Sequence, residues 1–168
     1  MFPRALRRVA PLLPISVVLV LHSRVYSFVS DDAYISFVYA RNFAEHGQLV
    51  FNLGDRVEGY TNFLWTVLLG VLMKLGIAPE LASVVLGTLF GVATLFVIVR
   101  LAARVCGGES AWDYLPAVLL AVSSGYACWC SGGLETQLFT FLITLGILSY
   151  VEGSLTRAGL VFALATLT

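Results

Sequence analysis

The chain has 168 residues, of which 59% are hydrophobic and 12% are charged, and its mean hydropathy is +0.91. An average soluble chain is about half apolar and about a quarter charged. The composition therefore excludes a disordered protein, an ordinary soluble domain and a nucleic-acid binder with a basic patch. Because the apolar residues form long runs, we expect an all-α integral membrane protein, a multi-span helical bundle.

The first apolar run predicts a membrane helix over about residues 5–28. Basic residues precede it, but no small-x-small cleavage site follows Leu21, so we expect a retained helix and not a signal peptide. Further spans are predicted over 81–103, 114–130 and 137–151, and another begins at 158–168. Since the last run is too short to span a bilayer, we expect an N-terminal part of a longer protein, without an internal domain boundary.

The positions of Lys and Arg predict the orientation, because cytoplasmic loops carry the excess of both. The early cluster of Arg4, Arg7 and Arg8 places the N-terminus in the cytoplasm and residues 29–61 outside. If segment 62–77 lies in the membrane interface, the following span runs inward, and its two terminal arginines face the cytoplasm as the rule prefers. If segment 62–77 spans the membrane, they face outside.

The residues of segment 62–77 favour the interfacial alternative. The segment is short, and a polar or small residue recurs at every fourth position, at Asn62, Thr66, Gly70 and Lys74. Such a narrow stripe with one Lys suits a helix that lies at the membrane surface. A packing face between spanning helices is the alternative. A second juxtamembrane helix is predicted over 33–45, in the first outer loop.

Four acidic residues then face the outside, namely Asp31, Asp32, Glu58 and Glu135. The adjacent Asp31 and Asp32 precede helix 33–45, where one acid alone would be a helix cap. Two adjacent carboxylates beside a bilayer are also suited to bind a divalent cation or a hydroxyl group, or to act as a base. A cap and a functional site both remain open at this point.

Polar residues also stand at the entrance to segment 62–77. Glu58, Tyr60 and Asn62 are explained either by a surface loop or by the wall of a site. Glu135 lies in a Gly-rich turn between two apolar runs, where a lone acid is usually solvated.

Four segments of the outer loop and its continuation into segment 62–77, together with the turn around Glu135, form a recognisable pattern. They are Asp31-Asp32-Ala33-Tyr34-Ile35-Ser36-Phe37, Tyr39-Ala40-Arg41-Asn42, Leu49-Val50-Phe51-Asn52, Val57-Glu58-Gly59-Tyr60-Thr61-Asn62-Phe63-Leu64-Trp65 and Gly133-Leu134-Glu135-Thr136. This pattern resembles a subgroup of the GT-C glycosyltransferases, similar to the mycobacterial terminal β-arabinofuranosyltransferase. The resemblance covers about residues 5–168, and its specific signal is concentrated in 31–65.

The resemblance implies transfer of a sugar from a polyprenyl-phosphate donor to a cell-envelope glycan, lipid or protein, outside a bacterial inner membrane. Asp31 or Asp32 would be the general base, and a divalent cation on this pair is an open possibility. Glu58, Tyr60, Asn62 and Glu135 would bind the sugar or the acceptor. The phosphate leaving group needs positive charge, for which Arg41, Arg56 and Lys74 are the candidates.

The chain also departs from the pattern of these enzymes. Val38 stands where Arg is common, which removes one candidate phosphate contact, and Leu53 stands where Pro is common in the turn. The shared membrane module would continue beyond the 168 residues, and this part alone is expected to be inactive. Two other interpretations are a transporter component and an inactive truncated membrane protein.

Overall fold

The computed structural model describes residues 10–108 and 110–168. In these ranges the regular elements are all helices, joined by loops, and there is no strand. The helices are α1 (Leu12–Tyr26), α2 (Asp31–His46), α3 (Phe63–Lys74), α4 (Pro79–Val105), a 3₁₀ turn (Ala111–Tyr114), α5 (Leu115–Val122), α6 (Ser124–Trp129), α7 (Thr136–Val151) and α8 (Leu155–Ala165). The all-α prediction is confirmed for this part of the chain, whereas Arg4, Arg7 and Arg8 lie outside the described residues.

One described helix is long and apolar enough to cross a membrane. It is α4, whose 27 residues extend over about 40 Å, more than the roughly 30 Å of a hydrocarbon core. Helices α1 and α2 pass the same test only as a pair, and the chain bends by 100° between them. The other apolar helices have 17 residues or fewer. The predicted multi-span arrangement therefore stays a prediction.

The helix boundaries follow from local sequence. Helix α2 ends at Gly47, whose φ of 69° is left-handed and suits glycine, and α4 begins with Pro79 at its first position. The predicted span over 114–130 is divided at Ser123, whose backbone is extended. Three poor helix formers in succession, Ser123, Ser124 and Gly125, explain the break.

Helix α4 is shared by two hydrophobic clusters. One joins α4 to α2, α3, α7 and α8, and its largest fully buried side chains are Trp65, Phe37 and Leu69. The other joins α4 to α1, α5 and α6 around Leu19 and Leu95. Because both clusters use α4, they hold the short helices around the one long helix.

Helices α4 and α7 run in the same direction. Near their N-terminal halves, Gly87 and Gly91 of α4 allow close approach of Cys130, whose carbonyl oxygen would lie 2.6 Å from a Cβ at position 87. Near their C-terminal ends, Arg100 contacts Glu152. Helix α8 then returns, and the backbone N–H of Leu64 donates to the carbonyl of Leu167 at 2.6 Å. The start of α3 and the end of α8 are thereby held together.

The small and polar stripe of α3 packs against α2. Asn62 and Thr66 are buried, and a Cβ at Gly70 would lie 2.6 Å from the ring of Phe43, so only glycine permits this approach. At the end of the stripe, the ammonium group of Lys74 lies 4.8 Å from the centre of the Phe43 ring. The stripe is thus a packing face and not a solvated one, and its partner is helix α2.

Candidate functional site

A buried loop of residues 131–135 docks at the start of α2. The backbone N–H of Ser30 donates to the carbonyl of Gly132 at 2.9 Å, and the indole Nε1 of Trp65 donates to the carbonyl of Gly133 at 3.1 Å. Gly133 has a φ of 87°, and a Cβ there would lie 2.8 Å from the Cβ of Ala33. Glycine is therefore required at this position. The loop carries Glu135 to the junction of α2 and α3.

Asn62 joins three parts of the chain at this junction. Its Nδ2 donates to Oε2 of Glu135 at 2.7 Å and to Oγ of Ser36 at 3.0 Å. Its Oδ1 accepts from Oγ of Thr66 at 3.0 Å and lies 3.2 Å from Oγ of Ser36. We call Asn62, Glu135, Ser36 and Thr66 the Asn62 network. Asn62 occupies the cap position of α3 but makes no side-chain cap bond, so its amide is fully committed to the network.

The carboxylates of Asp31 and Asp32 lie in the first turn of α2, beside this network. Ser30, and not either Asp, holds the cap position, and it makes no side-chain cap bond. Both Asp residues are exposed and accept no hydrogen bond from any residue that the structure describes. Asp32 precedes Ser36 by four residues and so lies on the same helix face, one turn away. The pair is free to contact a ligand at the edge of the Asn62 network.

Glu58 and Tyr60 line a separate open groove of about 530 Å³ together with Arg56. The loop before α3 is fixed on α2 by Tyr39, whose hydroxyl donates to the carbonyl of Val57 at 3.0 Å and whose ring centre lies 4.5 Å from that of Tyr60. Burial, then the charge of Glu58 and the neighbouring Tyr39, raise the pKa of Tyr60. Its hydroxyl therefore remains a hydrogen-bond donor at neutral pH. The groove offers a cation, a carboxylate and a phenol to one ligand.

Two of the predicted phosphate-binding residues lie away from the Asp pair. Arg41 is exposed on α2, about 14 Å along the helix axis from Asp32. Lys74 is at the far end of α3, about 18 Å along the axis from Asn62. Their predicted role is not tested by this arrangement, but neither side chain shares a hydrogen bond with the Asn62 network.

Three residues that contribute to the candidate site were not predicted from the sequence. Ser36 and Thr66 complete the Asn62 network, and each follows a predicted polar residue by four positions, a spacing that was visible in the sequence. Arg24 lines a cavity of about 140 Å³ at the bend between α1 and α2, with Ser27 and Ser131. The sequence feature that could have indicated Arg24 is its position as a single cation at the end of an apolar helix, a few residues before the Asp pair.

Few side chains of the candidate site could bind a metal ion. Within residues 10–108 and 110–168, no group of three or more His, Cys, Asp or Glu side chains is placed to hold a metal ion. Asp31 and Asp32 supply two carboxylates, and one oxygen of Glu135 is already bound by Asn62. Mg²⁺ commonly binds through one or two carboxylates, waters and substrate phosphates, so the pair fits an ion of that kind.

Comparison of the chain with protein-family models, with curated proteins and with solved structures finds no match. The resemblance to the GT-C enzymes consequently rests on the motif residues alone, and the geometry of these residues is the independent support available for a function.

Proposed function

We propose that the chain is part of a membrane glycosyltransferase of the GT-C type. It transfers a sugar from a polyprenyl-phosphate donor to a glycan, lipid or protein acceptor of the cell envelope, outside a bacterial inner membrane. One observation carries the proposal. Three motif segments far apart in sequence, at Ser36, Asn62 and Glu135, meet in one hydrogen-bonded network beside Asp31 and Asp32.

The helix geometry supports placing this site at a membrane surface. Helix α4 is long enough to span a bilayer, and between Glu80 and Arg100 it carries no charged side chain. Helix α2 is bent by 100° away from α1. Helix α3 packs along α2 and extends over only about 18 Å, too short to span. Both helices are therefore suited to lie in the interface, where the phosphate of a lipid donor is located.

The proposed roles follow from exposure and bonding. Asp31 or Asp32 takes the proton from the acceptor hydroxyl, because both carboxylates are exposed and unbonded within the described ranges. Glu135 keeps one oxygen for a substrate hydroxyl, since Asn62 binds the other. Arg24 and Arg56 supply positive charge in two cavities, and Glu58 and Tyr60 line the second one. A divalent cation held by whichever of Asp31 and Asp32 is not the base would neutralise charge on the leaving phosphate.

The positions of the acids disfavour the transporter alternative. Acids that form ion pathways face the interior of a bundle within the membrane. Here Asp31 and Asp32 are in the first turn of α2 and Glu135 is in the loop before α7, outside the long helix α4. This placement is suited to chemistry at a surface.

The test is transfer of labelled sugar from polyprenyl-phosphate donors in membranes that contain the product of the whole reading frame. We expect Asp31→Asn or Asp32→Asn to lower the rate by about 10²- to 10⁴-fold, the usual contribution of a general base. Asp55→Asn is the matched control, because Asp55 is an exposed acid in the turn of the same loop. Full activity in both Asp31 and Asp32 variants, at equal expression, would refute the proposed mechanism.

A further inference from the structure

A second group of charged side chains lies at the opposite end of α4 from the Asn62 network. The Glu152 carboxylate follows α7 and contacts Nη2 of Arg100 at 2.6 Å through one oxygen and Nη2 of Arg157 at 2.6 Å through the other. The Nε atom of Arg104 lies 3.6 Å from Glu152 Oε1. We call Arg100, Arg104 and Arg157 around Glu152 the arginine cluster.

The arginine cluster has more positive charge than its carboxylate neutralises. Three guanidinium groups surround one carboxylate, which leaves two positive charges in excess. Glu152 is 11% exposed, whereas Arg100, Arg104 and Arg157 are 59%, 58% and 49% exposed. Each guanidinium carries five N–H donors, so most of the donors in the cluster make no hydrogen bond to Glu152. Glu152 holds the three guanidinium groups together but accepts hydrogen bonds from only a few of their N–H donors.

Exposed aromatic side chains occur at the same end of the molecule. Trp112 follows α4 in the 3₁₀ turn and is 77% exposed, and Tyr150 near the end of α7 is also exposed. Trp and Tyr are enriched where membrane proteins meet the headgroup layer. Tyr150 precedes Glu152 by two residues, and Trp112 lies in the turn that follows α4, so both indicate that this end of α4 lies at headgroup depth.

We infer that the arginine cluster binds the phosphate of an anionic phospholipid headgroup. Guanidinium groups bind phosphate oxygens through paired N–H donors, and basic pockets at helix ends on the cytoplasmic side are suited to anionic lipids. Arg104 is the main ligand, because its ion pair with Glu152 is the longest of the three. The inference depends on the membrane placement of α4 and not on glycosyl transfer.

The experiment measures lipid binding to the purified product of the whole reading frame in detergent by native mass spectrometry. The probes are phosphatidylglycerol and phosphatidylcholine with identical acyl chains. We expect the wild type to prefer phosphatidylglycerol and Arg104→Gln to bind it about fivefold more weakly, since one basic residue near an anionic surface contributes about 1 kcal/mol. Arg104→Lys, which keeps the charge, retains most of the binding.

Glu80→Gln is the control, because it replaces an exposed charged side chain at the other end of α4 with the same amide. We expect it to bind phosphatidylglycerol like the wild type, and an equal loss in both Gln variants would overturn the inference. Displacement of the lipid by millimolar inorganic phosphate would overturn it too, since it would indicate a site for soluble anions. A lack of glycosyl transfer would refute the proposed function but would leave this binding unchanged.

Discussion

The two ends of α4 organise polar groups in opposite ways. In the Asn62 network the polar side chains are mostly buried, and the Asn62 amide uses all of its donors and acceptors. In the arginine cluster the charged side chains are mostly exposed and keep unused donors. A buried network fixes one geometry, because a lost partner leaves an unsatisfied polar group. Exposed ion pairs contribute little to stability and remain available to a ligand.

The largest expected difference between the two ends of α4 is the loss of stability on replacing a tryptophan. Trp65 is fully buried and donates to the Gly133 carbonyl, whereas Trp112 is exposed in the 3₁₀ turn that follows α4. Trp65→Ala leaves a large cavity and should lower the free energy of unfolding by about 3–5 kcal/mol. Trp112→Ala should change it by less than about 0.5 kcal/mol. Chemical unfolding in detergent, followed by circular dichroism, measures both.

Equal effects of Trp65→Ala and Trp112→Ala would show that the buried end is no more tightly packed than the exposed one. The comparison is also sensitive to the loop at 131–135, because Trp65 is the residue that fixes the Gly133 carbonyl to α3.

A smaller effect is expected from a charge placed inside the Asn62 network. Asn62→Asp puts a second carboxylate next to Glu135, where the wild-type amide donates at 2.7 Å. Two carboxylates in contact cannot both ionise without strong repulsion. We expect a loss of about 1–3 kcal/mol at neutral pH that shrinks as the pH is lowered and the pair takes up a proton. Thermal unfolding between neutral and acidic pH measures it.

The control for Asn62→Asp is Asn52→Asp in the exposed turn of the same loop. It introduces the same charge at an exposed position, where solvent and salt screen the repulsion from Asp55 in the same turn, so its effect should be small and nearly independent of pH. A loss in the Asn62 variant that stays constant on acidification would contradict the contact between positions 62 and 135.

The helices themselves were largely predictable from the sequence. The predicted bounds 81–103 and 33–45 lie within two residues of the observed ends of α4 and α2, because the apolar pattern of a helix is a local property of the sequence. The break at Ser123 was visible as a run of poor helix formers but was outweighed by the apolar run around it. The bend of 100° between α1 and α2 was not predictable, since it depends on the packing of both helices against distant parts of the chain.

The candidate site was predictable only as a list of residues. The sequence indicated that Asn62 and Glu135 lie on the same side of the membrane. Because 73 residues separate them, their hydrogen bond depends on how loop 131–135 packs against α2 and α3. The sequence also grouped Glu58 with the other acids, whereas Glu58 lines a different groove with Arg56. Tertiary packing, and not spacing along the chain, decides which polar residues of one membrane surface touch.

The smallest expected effect is a pH dependence from the arginine cluster. Hydrogen bonding by Arg157, together with the bond and charge of Arg100, lowers the pKa of Glu152 below its ordinary value of 4.5. A carboxyl group with a lowered pKa stabilises the fold above its unfolded-state value, and this contribution is lost as the pH falls through the lower, folded-state value. Glu152→Gln should therefore be less stable than the wild type at neutral pH, by less than about 1 kcal/mol because the arginines are exposed. The difference should begin to shrink as the pH falls below about 4.5 and disappear below the lowered, folded-state pKa of Glu152. Melting temperatures of both proteins across that range measure it, and a difference that persists in acid would mean that Glu152 contributes through packing and not through its charge.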